Sequence, residues 1–311
     1  MTIDFSRPLV TLGVVSDLHA FSNAKGGSDS VLDLSPTALN QTNPLVDLIG
    51  SASLVGPVDV LLCAGDICNK ADAGGLTQAW AKLQNLKAAL SASMIIPTCG
   101  NHDLDSRFLG VADDPDPKGA LLALQPPFPF ADEIMSNKFW ARNYAIVVLE
   151  NGVVVVTLNT SAFHGGLQEE IDHGRVSYRT IEEVEAELAS YAAAPAHVLL
   201  CHHHPLPLTG WGRKADSEFA KNGQVLFDAL IRATGKSWLV IHGHRHVPRL
   251  IHGASIVCDS FCARCWQSRS AIKRNREPIP CCPLVSLGFS EPWFNYRNSA
   301  ELVVERDRRL D

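Results

Sequence analysis

Short apolar runs alternate with amphipathic stretches along most of this chain. The apolar runs are rich in Val, Ile and Leu, are bounded by Gly, Pro or polar residues, and lie at 9–15, 58–64, 94–98, 197–201 and 237–241. Such runs are typical of strands that are buried on both faces. Apolar positions with helical spacing lie between them, at 44–54, 76–90, 181–191 and 225–233. Strand alternating with helix predicts crossover units and a largely parallel sheet.

A polar block follows nearly every predicted strand. Five blocks occur in order: Asp17-Leu18-His19, Gly65-Asp66, Gly100-Asn101-His102-Asp103, His202-His203-His204-Pro205 and Gly243-His244-Arg245-His246. Eight of the 12 histidines lie in these blocks or at His242, just before the last one. Because ligands bind outside the carboxyl ends of strands in open parallel sheets, we expect the blocks to converge on one site. Histidine is the commonest metal ligand and a carboxylate can bridge two cations, so the blocks predict a metal centre.

Each of these residues also has an ordinary structural explanation when it is considered alone. Asp17 and Asp66 are of a type that is common in turns and at helix N-caps. His244 and His246 could be exposed loop histidines, although alternation along an extended segment also places both side chains on one face, as chelation requires. Five such blocks in order, each at a strand end, favour a shared chemical role.

The series D-x-H, G-D, G-N-H-D, H-H-H-P and G-H-x-H resembles the signature of the calcineurin-like metallophosphoesterase superfamily. Its spacing is most similar to that of class III cyclic-nucleotide phosphodiesterases and their glycerophosphodiesterase relatives. The similarity runs from about residue 9 to about residue 256. The resemblance implies an α/β fold, a four-layer αββα sandwich of two mixed sheets flanked by helices. It also implies hydrolysis of phosphoesters at two metal ions.

The same resemblance implies which residues hold the ions. One ion would be held by Asp17, His19, Asp66 and His246, and the other by Asp66, Asn101, His202 and His244, so that Asp66 bridges the pair. The ions are divalent or trivalent, and the mixed ligands suit Mn, Fe and Zn alike. A water that bridges them becomes a hydroxide near neutral pH, because metal coordination can lower its pKa from ~15.7 to ~7. That hydroxide would attack phosphorus in line.

The resemblance places His102 and Asp103 beside the ions as catalytic residues. His102 would face the substrate and either donate a hydrogen bond to the phosphate or protonate the leaving oxygen. Asp103 would orient the His102 ring, as carboxylates often do. The alternative is that His102 only fills space beside the site. In the histidine run, the family pattern places the ligand at His202, and it leaves the roles of His203 and His204 open.

Composition predicts a cytoplasmic enzyme without a membrane segment. With 311 residues, of which 46% are hydrophobic, the chain can bury a large core. We expect a catalytic domain at 1–258 and a Cys- and Arg-rich extension at 259–311. The formal net charge of -6 gives no overall nucleic-acid footprint. No room for a signal peptide precedes the first predicted strand, and no apolar run reaches the ~18 residues of a membrane span. The sequence does not indicate an oligomeric state.

Two features of the C-terminal segment, its cysteines and its basic residues, each have two possible explanations. Cys262 and Cys265, followed by Cys281 and Cys282, resemble half of a zinc ribbon, but the second pair lacks the usual spacer. Free thiols are the default in a reducing compartment. The same segment contains five basic residues: Arg264, Arg269, Lys273, Arg274 and Arg276. They could belong to a solvated loop, or they could steer a polyanionic substrate toward the site.

Patterns between the blocks add local detail. Two apolar runs flank Glu150-Asn151-Gly152 and predict a β-hairpin. Thr180 and Glu183 have capping-box spacing and predict a helix start at Thr180. The segments 20–43, 104–137 and 206–223 show no clear periodicity and are expected to be loops that build the substrate pocket.

The expected function is a dinuclear-metal-dependent phosphoesterase that acts on a small phosphorylated substrate. Phosphodiesters are favoured, for example cyclic nucleotides or glycerophosphodiesters. Gly65-Asp66 continues as Ile67-Cys68-Asn69, which differs from the Asp-Arg-Gly continuation of phosphoprotein phosphatases. Alternatives are a phosphomonoesterase for nucleotide or sugar phosphates, a small nuclease, and a non-catalytic scaffold. Nucleic acid is thus a less favoured partner than a small phosphoester.

Overall fold

The computed structural model describes residues 9–23, 29–35, 44–105, 116–165, 173–207 and 216–246, together with four later strands. The first sheet contains β1 (Leu12–Val15), β2 (Val60–Cys63) and β3 (Met94–Pro97), which are parallel and lie in the order β1-β2-β3. All their side chains except that of Met94 are buried. The helices α1 (Pro44–Val55) and α2 (Ala73–Ala89) connect these strands and pack against each other. This is the crossover arrangement that the apolar runs predict.

Two helices and a hairpin lead from the first sheet to the second. They are α3 (Gly119–Leu122), α4 (Glu133–Arg142), β4 (Tyr144–Val148) and β5 (Val154–Leu158). The strands β4 and β5 pair antiparallel around residues 149–153, which confirms the predicted hairpin. The expectation that 104–137 forms only loops is wrong. The Asp132 side chain accepts a hydrogen bond from the Met135 amide and starts α4 within that segment.

The second sheet has six strands. It adds β6 (His197–Leu200), β7 (Trp238–His242), β8 (Arg249–His252) and β9 (Cys258–Cys262), and the order is β4-β5-β6-β7-β9-β8. The central strands β5, β6, β7 and β9 run parallel, and the edge strands β4 and β8 run antiparallel to their neighbours. The helices α5 (Tyr178–Leu188) and α6 (Gly223–Thr234) cover this sheet and contact each other.

The helix start predicted at Thr180 is wrong. The helix α5 begins at Tyr178, because the Ser177 hydroxyl accepts a hydrogen bond from the Thr180 amide and acts as the N-cap. Thr180 itself is buried, and its hydroxyl donates to the Arg142 carbonyl at 3.1 Å. The tertiary contact with α4 thus occupies the side chain that the spacing had assigned to a cap.

Alternate side chains of β5 point to opposite faces of the second sheet. Val155 packs in the cluster between the two sheets, with Leu62 and Leu200. Val154 and Val156 pack on the other face, against α5 and α6. Burying a side chain of this size stabilises the fold by about 1.5–3 kcal/mol. The layers are helices, sheet, sheet, helices, which confirms the expected α/β sandwich of two sheets flanked by helices.

Hydrogen bonds also join the two sheets near the carboxyl ends of their strands. The Thr98 hydroxyl donates to the Leu158 carbonyl at 2.6 Å, and the Thr157 hydroxyl donates to the Pro97 carbonyl at 2.9 Å. Both threonines are fully buried, so each bond satisfies a group that would otherwise lose its water. The paired bonds hold the end of β3 against the end of β5, beside the polar blocks.

The C-terminal segment contributes further strands. The expected domain boundary falls at the start of β9, which pairs with β7 and β8. A separate antiparallel pair follows, β10 (Ser286–Ser290) and β11 (Trp293–Arg297). The half zinc ribbon and the basic cluster lie outside the described side chains, and the domain division stays a prediction. Among the described helices, none is both long and apolar enough to cross a membrane.

Candidate metal centre

Every polar block lies in a turn at the carboxyl end of a strand. Asp17 and His19 follow β1, and Asp66 follows β2. The three other blocks follow β3, β6 and β7. These five strands come from both sheets, and their ends meet where the two sheets pack together.

Five of the seven predicted ligands adopt a left-handed backbone conformation. The positive φ angles occur at Asp17 (55°), His19 (42°), Asp66 (52°), His244 (73°) and His246 (51°). Non-glycine residues rarely adopt such angles, and each costs about 1–3 kcal/mol. Strained backbone of this kind clusters at functional sites, where the surrounding structure holds it in place.

Four side chains from three strand ends form the first donor group. Asp17, His19, Asp66 and His246 each place one donor atom within 4.8 Å of the others. His19 Nε2 lies 2.8 Å from His246 Nε2 and 3.4 Å from Asp66 Oδ2. His246 Nε2 lies 3.5 Å from Asp17 Oδ1. This group contains all four residues that the resemblance assigns to one ion.

The second donor group is rich in histidine. His202, His203 and His244 place donor atoms within 4.8 Å of one another. The amide oxygen of Asn101 lies 3.1 Å from His202 Nε2. His202, Asn101 and His244 are the residues expected for the other ion, and His203 is an addition.

Asp66 lies between the two groups. Its Oδ2 atom is 3.4 Å from His19 Nε2 in the first group and 3.2 Å from His202 Nε2 in the second. The other oxygen, Oδ1, accepts the His102 amide at 2.8 Å. One carboxylate oxygen therefore faces donors of both groups while the other is fixed by the backbone.

The donor atoms are better placed to bind a cation than to form hydrogen bonds with one another. Asp17 Oδ2 and His203 Nε2 are buried and have no hydrogen-bond partner among the described residues. An unsatisfied buried polar atom costs about 1–3 kcal/mol. Imidazole nitrogens and carboxylates at this spacing are the ligand types of Zn, Fe and Mn. Bound metal ions would satisfy these atoms.

Hydrogen bonds behind the donors fix their orientation. His202 Nδ1 donates to the Ala64 carbonyl at 2.8 Å, which leaves Nε2 toward the site. Asp17 Oδ1 accepts the His244 amide at 2.8 Å. Gly100 is required sterically, because a Cβ there would overlap Asp66 Oδ1 and lie 2.5 Å from the Asp66 nitrogen.

His102 is oriented by Asn69. The His102 Nδ1 atom lies 2.7 Å from Asn69 Oδ1, and Asn69 Nδ2 donates to the Ser30 hydroxyl at 2.8 Å. Because the amide nitrogen is used by Ser30, the amide oxygen accepts from His102 Nδ1. The His102 and His19 rings meet edge to face with centroids 4.5 Å apart, so His102 borders the first donor group.

The expected contact between Asp103 and the His102 ring is not what the structure shows. Asp103 is buried, and its two oxygens accept the amides of Cys68 and Gly100, each at 2.9 Å. These bonds tie the turn after β2 to the turn after β3. The carboxylate is used by the backbone, which leaves ring orientation to Asn69.

Burial and neighbouring charges set the protonation of the carboxylates. Burial alone would raise the pKa of Asp66, but the adjacent His202 and His102 lower it well below its usual range. Burial, reinforced by the Asp66 charge, raises the pKa of Asp103 to about 7. Asp66 is therefore the carboxylate that stays ionised at the centre of the site.

One histidine of the site has a raised pKa, and several others have a lowered pKa. Burial disfavours the charged form of His202, yet the Asp66 carboxylate raises its pKa to about 9. Burial lowers the pKa of His19 to about 3 and of His244 to about 4, and it lowers that of His203 well below its usual range. Most of the imidazoles are thus neutral near pH 7, as metal ligands must be.

Sequence reasoning missed several residues at this site. Asn69 follows Asp66 by three positions, but an Asn in a turn has many ordinary uses. Glu218 lies 3.5 Å from His244 Nε2 and also contacts the Arg245 guanidinium. Thr160 bonds to His203 Nδ1 at 3.0 Å. Glu218 and Thr160 have no sequence signal, because only the packing of distant loops brings them to the blocks.

Two adjacent groups of His and Asp donors at the strand ends of a two-sheet α/β sandwich define a metal-binding protein of the phosphoesterase class. The chain belongs to the calcineurin-like phosphoesterase family, whose model matches residues 10–267. The family resemblance expected from the blocks is thereby confirmed, and the protein is a metal-dependent phosphoesterase by family. Similarity to the class III phosphodiesterases in particular stays a prediction.

Several solved structures are similar to this chain at low sequence identity, and one of them has a TM-score above 0.5. A dimetal phosphatase from Danio rerio is 13% identical, with a TM-score of 0.55, and the match covers 83% of this chain and 88% of that protein. A protein described as a 5′-nucleotidase from Staphylococcus aureus is 16% identical over 82% of this chain and 48% of its own, with a TM-score of 0.44. A phosphopantetheinyl hydrolase from Mycobacterium tuberculosis is 14% identical over 83% and 90%, with a TM-score of 0.38. No curated protein sequence matches this chain significantly.

Proposed function

We propose that this protein hydrolyses phosphodiesters of small molecules at a dinuclear metal centre. The observation that carries the proposal is the position of Asp66, whose Oδ2 atom lies 3.4 Å from a donor of one group and 3.2 Å from a donor of the other. A single carboxylate oxygen at the junction of two donor groups is suited to bridge two cations.

Seven side chains would hold the two ions. They are Asp17, His19, Asp66 and His246 for one ion, and Asp66, Asn101, His202 and His244 for the other. Bound there, divalent or trivalent Mn, Fe or Zn would supply Lewis acidity to the phosphoryl oxygens and acidify water. Two carboxylates do not neutralise two such cations, so the site keeps a positive charge for an anionic substrate.

His102 would act on the substrate through Nε2. Asn69 accepts from Nδ1 at 2.7 Å, so Nε2 is the nitrogen left for the phosphate or for the leaving oxygen. As a general acid, His102 would give its proton to the leaving alkoxide, which departs as an alcohol. Asp103 would support this step by holding the turn that carries His102.

Charge near the site favours a phosphodiester. Arg245 lies between two of the ligands, and its guanidinium contacts the Glu218 carboxylate. The Glu218 carboxylate thus neutralises the positive charge of Arg245. That positive charge would otherwise help to bind a phosphomonoester, which carries one more negative charge than a phosphodiester. Cyclic nucleotides and glycerophosphodiesters are the substrate classes that the sequence motifs favour. In the described part of the chain, Cys63, Cys68 and Cys99 are buried and form no disulfide, which supports a reducing, cytoplasmic location.

Hydrolysis of two model substrates by metal-stripped protein tests this function. Bis(p-nitrophenyl) phosphate and p-nitrophenyl phosphate are compared before and after Mn²⁺ is added. We expect metal-dependent turnover with the larger kcat/KM for the diester. A clear preference for the monoester would replace the diester proposal with a nucleotide or sugar phosphatase. Failure to bind metal would overturn the dinuclear centre itself.

A further inference from the structure

His203 is the member of the second donor group that the family pattern does not assign. It is fully buried, and one of its ring nitrogens lies within 4.8 Å of donor atoms of His202 and His244. The ring centroids of His203 and His244 are 4.4 Å apart, and those of His203 and His202 are 4.9 Å apart. The ring therefore faces the same space as the two expected ligands.

The two ring nitrogens of His203 have different surroundings. Nδ1 lies 3.0 Å from the Thr160 hydroxyl, and the same hydroxyl oxygen accepts the His203 amide at 3.1 Å. A hydroxyl oxygen has two acceptor lone pairs, so it can accept from both nitrogens. In the tautomer in which Nδ1 donates to this oxygen, Nε2 carries the lone pair. Nε2 is buried without a hydrogen-bond partner in the described part of the chain. A cation bound beside the two other imidazoles would satisfy this buried lone pair.

The fold holds this ring in place from the opposite side. A Cβ at Gly174 would lie 2.5 Å from Cγ and 2.6 Å from Cβ of His203, so only glycine fits there. The backbone of that segment is tied on both sides, by the Arg175 amide to the Thr160 carbonyl at 2.9 Å and by the Lys221 amide to the Gly174 carbonyl at 2.8 Å. Thr160 and Gly174 thus act together to position the imidazole.

We propose that His203 is an additional ligand of the ion at the histidine-rich group, which would then be held by three imidazoles. This inference rests on the proposed dinuclear centre. It makes the two ion positions chemically different, because the first group has two carboxylates and the second is mainly nitrogen. Imidazole suits late transition metals, whereas carboxylate suits Mn²⁺. The histidine-rich position should therefore prefer Zn²⁺ or Co²⁺ over Mn²⁺.

Proton NMR of the full chain loaded with Co²⁺ tests the assignment. Each ligated imidazole that keeps its N–H gives a strongly shifted, solvent-exchangeable signal. In the unmutated protein we expect such a signal with a nuclear Overhauser contact to Thr160. In His203→Gln we expect one shifted signal fewer, and a Co²⁺ affinity at one position that is weaker by at least roughly 10–100-fold, the cost of losing an outer-shell partner.

His204→Gln is the matched control. His204 is in the same run and equally buried, but its Nε2 bonds to Asp216 at 2.7 Å and it belongs to neither donor group. This variant should keep the shifted signals of the unmutated protein. Gly174→Ala keeps every donor but displaces the His203 ring, so it should weaken the same ion position.

The outcomes separate this inference from the proposed function. A folded His203→Gln that keeps every shifted signal and both affinities overturns the assignment. If that variant does not fold, the unmutated protein decides, since a Thr160 contact from an unshifted His203 N–H also overturns it. An unmutated protein that binds fewer than two Co²⁺ ions contradicts the dinuclear centre instead.

Discussion

His19 Nε2 and His246 Nε2 lie 2.8 Å apart, although 227 residues separate them along the chain. One follows β1 in the first sheet and the other follows β7 in the second. Two imidazole nitrogens at this distance share either a proton or a cation. Burial lowers the pKa of His19 to about 3, so its imidazole is neutral near pH 7, the form in which histidine binds a metal ion. In the proposed dinuclear centre, the two nitrogens would converge on one ion.

Removing the charge of Asp66 should abolish tight binding at the shared position. Asp66→Asn keeps the shape of the side chain but gives a neutral group to two cations. We expect less than two metal equivalents after gel filtration, and a fall in kcat/KM larger than the roughly 10–100-fold loss typical of an outer-shell change. Elemental analysis and turnover measure both effects.

Asp228→Asn, at an exposed position on α6, is the control and should keep both metals. Full metal content in Asp66→Asn would contradict the bridging role.

Removing the His102 imidazole should separate catalysis from metal binding. His102→Ala leaves the seven proposed ligands in place, so we expect an unchanged metal content. The rate should fall by about 10²–10⁴-fold, the usual contribution of general acid–base catalysis. Single-turnover kinetics on the metal-loaded protein measures the loss. A rate within a few-fold of that of the unmutated protein would show that His102 only fills space beside the site.

Asn69 should act as a positioning residue for His102. Asn69→Ala removes the acceptor 2.7 Å from Nδ1, and we expect a loss of kcat of about 10–100-fold with little change in metal affinity. Asn69→Asp keeps an oxygen at that position and should recover most of the rate. The two variants are compared by kcat and KM over a range of pH. Equal rates in both variants would mean that the acceptor is not needed.

Asp103 should contribute mainly to stability. In Asp103→Asn one of the two amides at 2.9 Å faces an NH₂ group instead of an acceptor. An unsatisfied buried amide costs about 1–3 kcal/mol, so the free energy of unfolding should fall by that amount. Urea unfolding of the metal-free protein tests this. A variant with unchanged stability and a slow chemical step would instead support the catalytic role that the sequence suggests for Asp103.

His197 should make stability depend on pH far from the metal centre. Burial lowers the pKa of His197, although its Nε2 bonds to the Tyr191 carbonyl at 3.1 Å. The unfolded chain, with an ordinary pKa of about 6.5, then binds more protons at low pH than the folded chain. Its contribution is fully present above about pH 6.5 and is lost as the pH falls below that value, by at most about 1.4 kcal/mol per pH unit.

A comparison of His197→Gln with the unmutated protein isolates this effect. The other histidines titrate in both proteins, so their contributions cancel in the difference. We expect the stability difference between the two proteins to shift in favour of His197→Gln as the pH is lowered from 7 to 5. Denaturant midpoints at several pH values measure the shift. A difference that does not change with pH would show that His197 keeps an ordinary pKa.

Local patterns predicted most of the framework correctly. The β4–β5 hairpin and the buried strands need only hydrophobic period and turn residues, which are properties of short segments. The helix start at Thr180 failed because its hydroxyl bonds to Arg142 on another helix. The start of α4 inside a predicted loop was missed because Asp132 caps a helix with little apolar periodicity.

The sequence by itself determined the order of strands and helices and the residue types at the strand ends, because periodicity and motif spacing are written along the chain. The resemblance of these motifs to the family signature implied Asp17, Asp66 and His202 as ligands. Only the tertiary structure brought Asn69 to His102, turned Asp103 toward backbone amides, and added His203 beside His244. Those contacts join segments that are distant in the chain, and their geometry depends on how the two sheets pack.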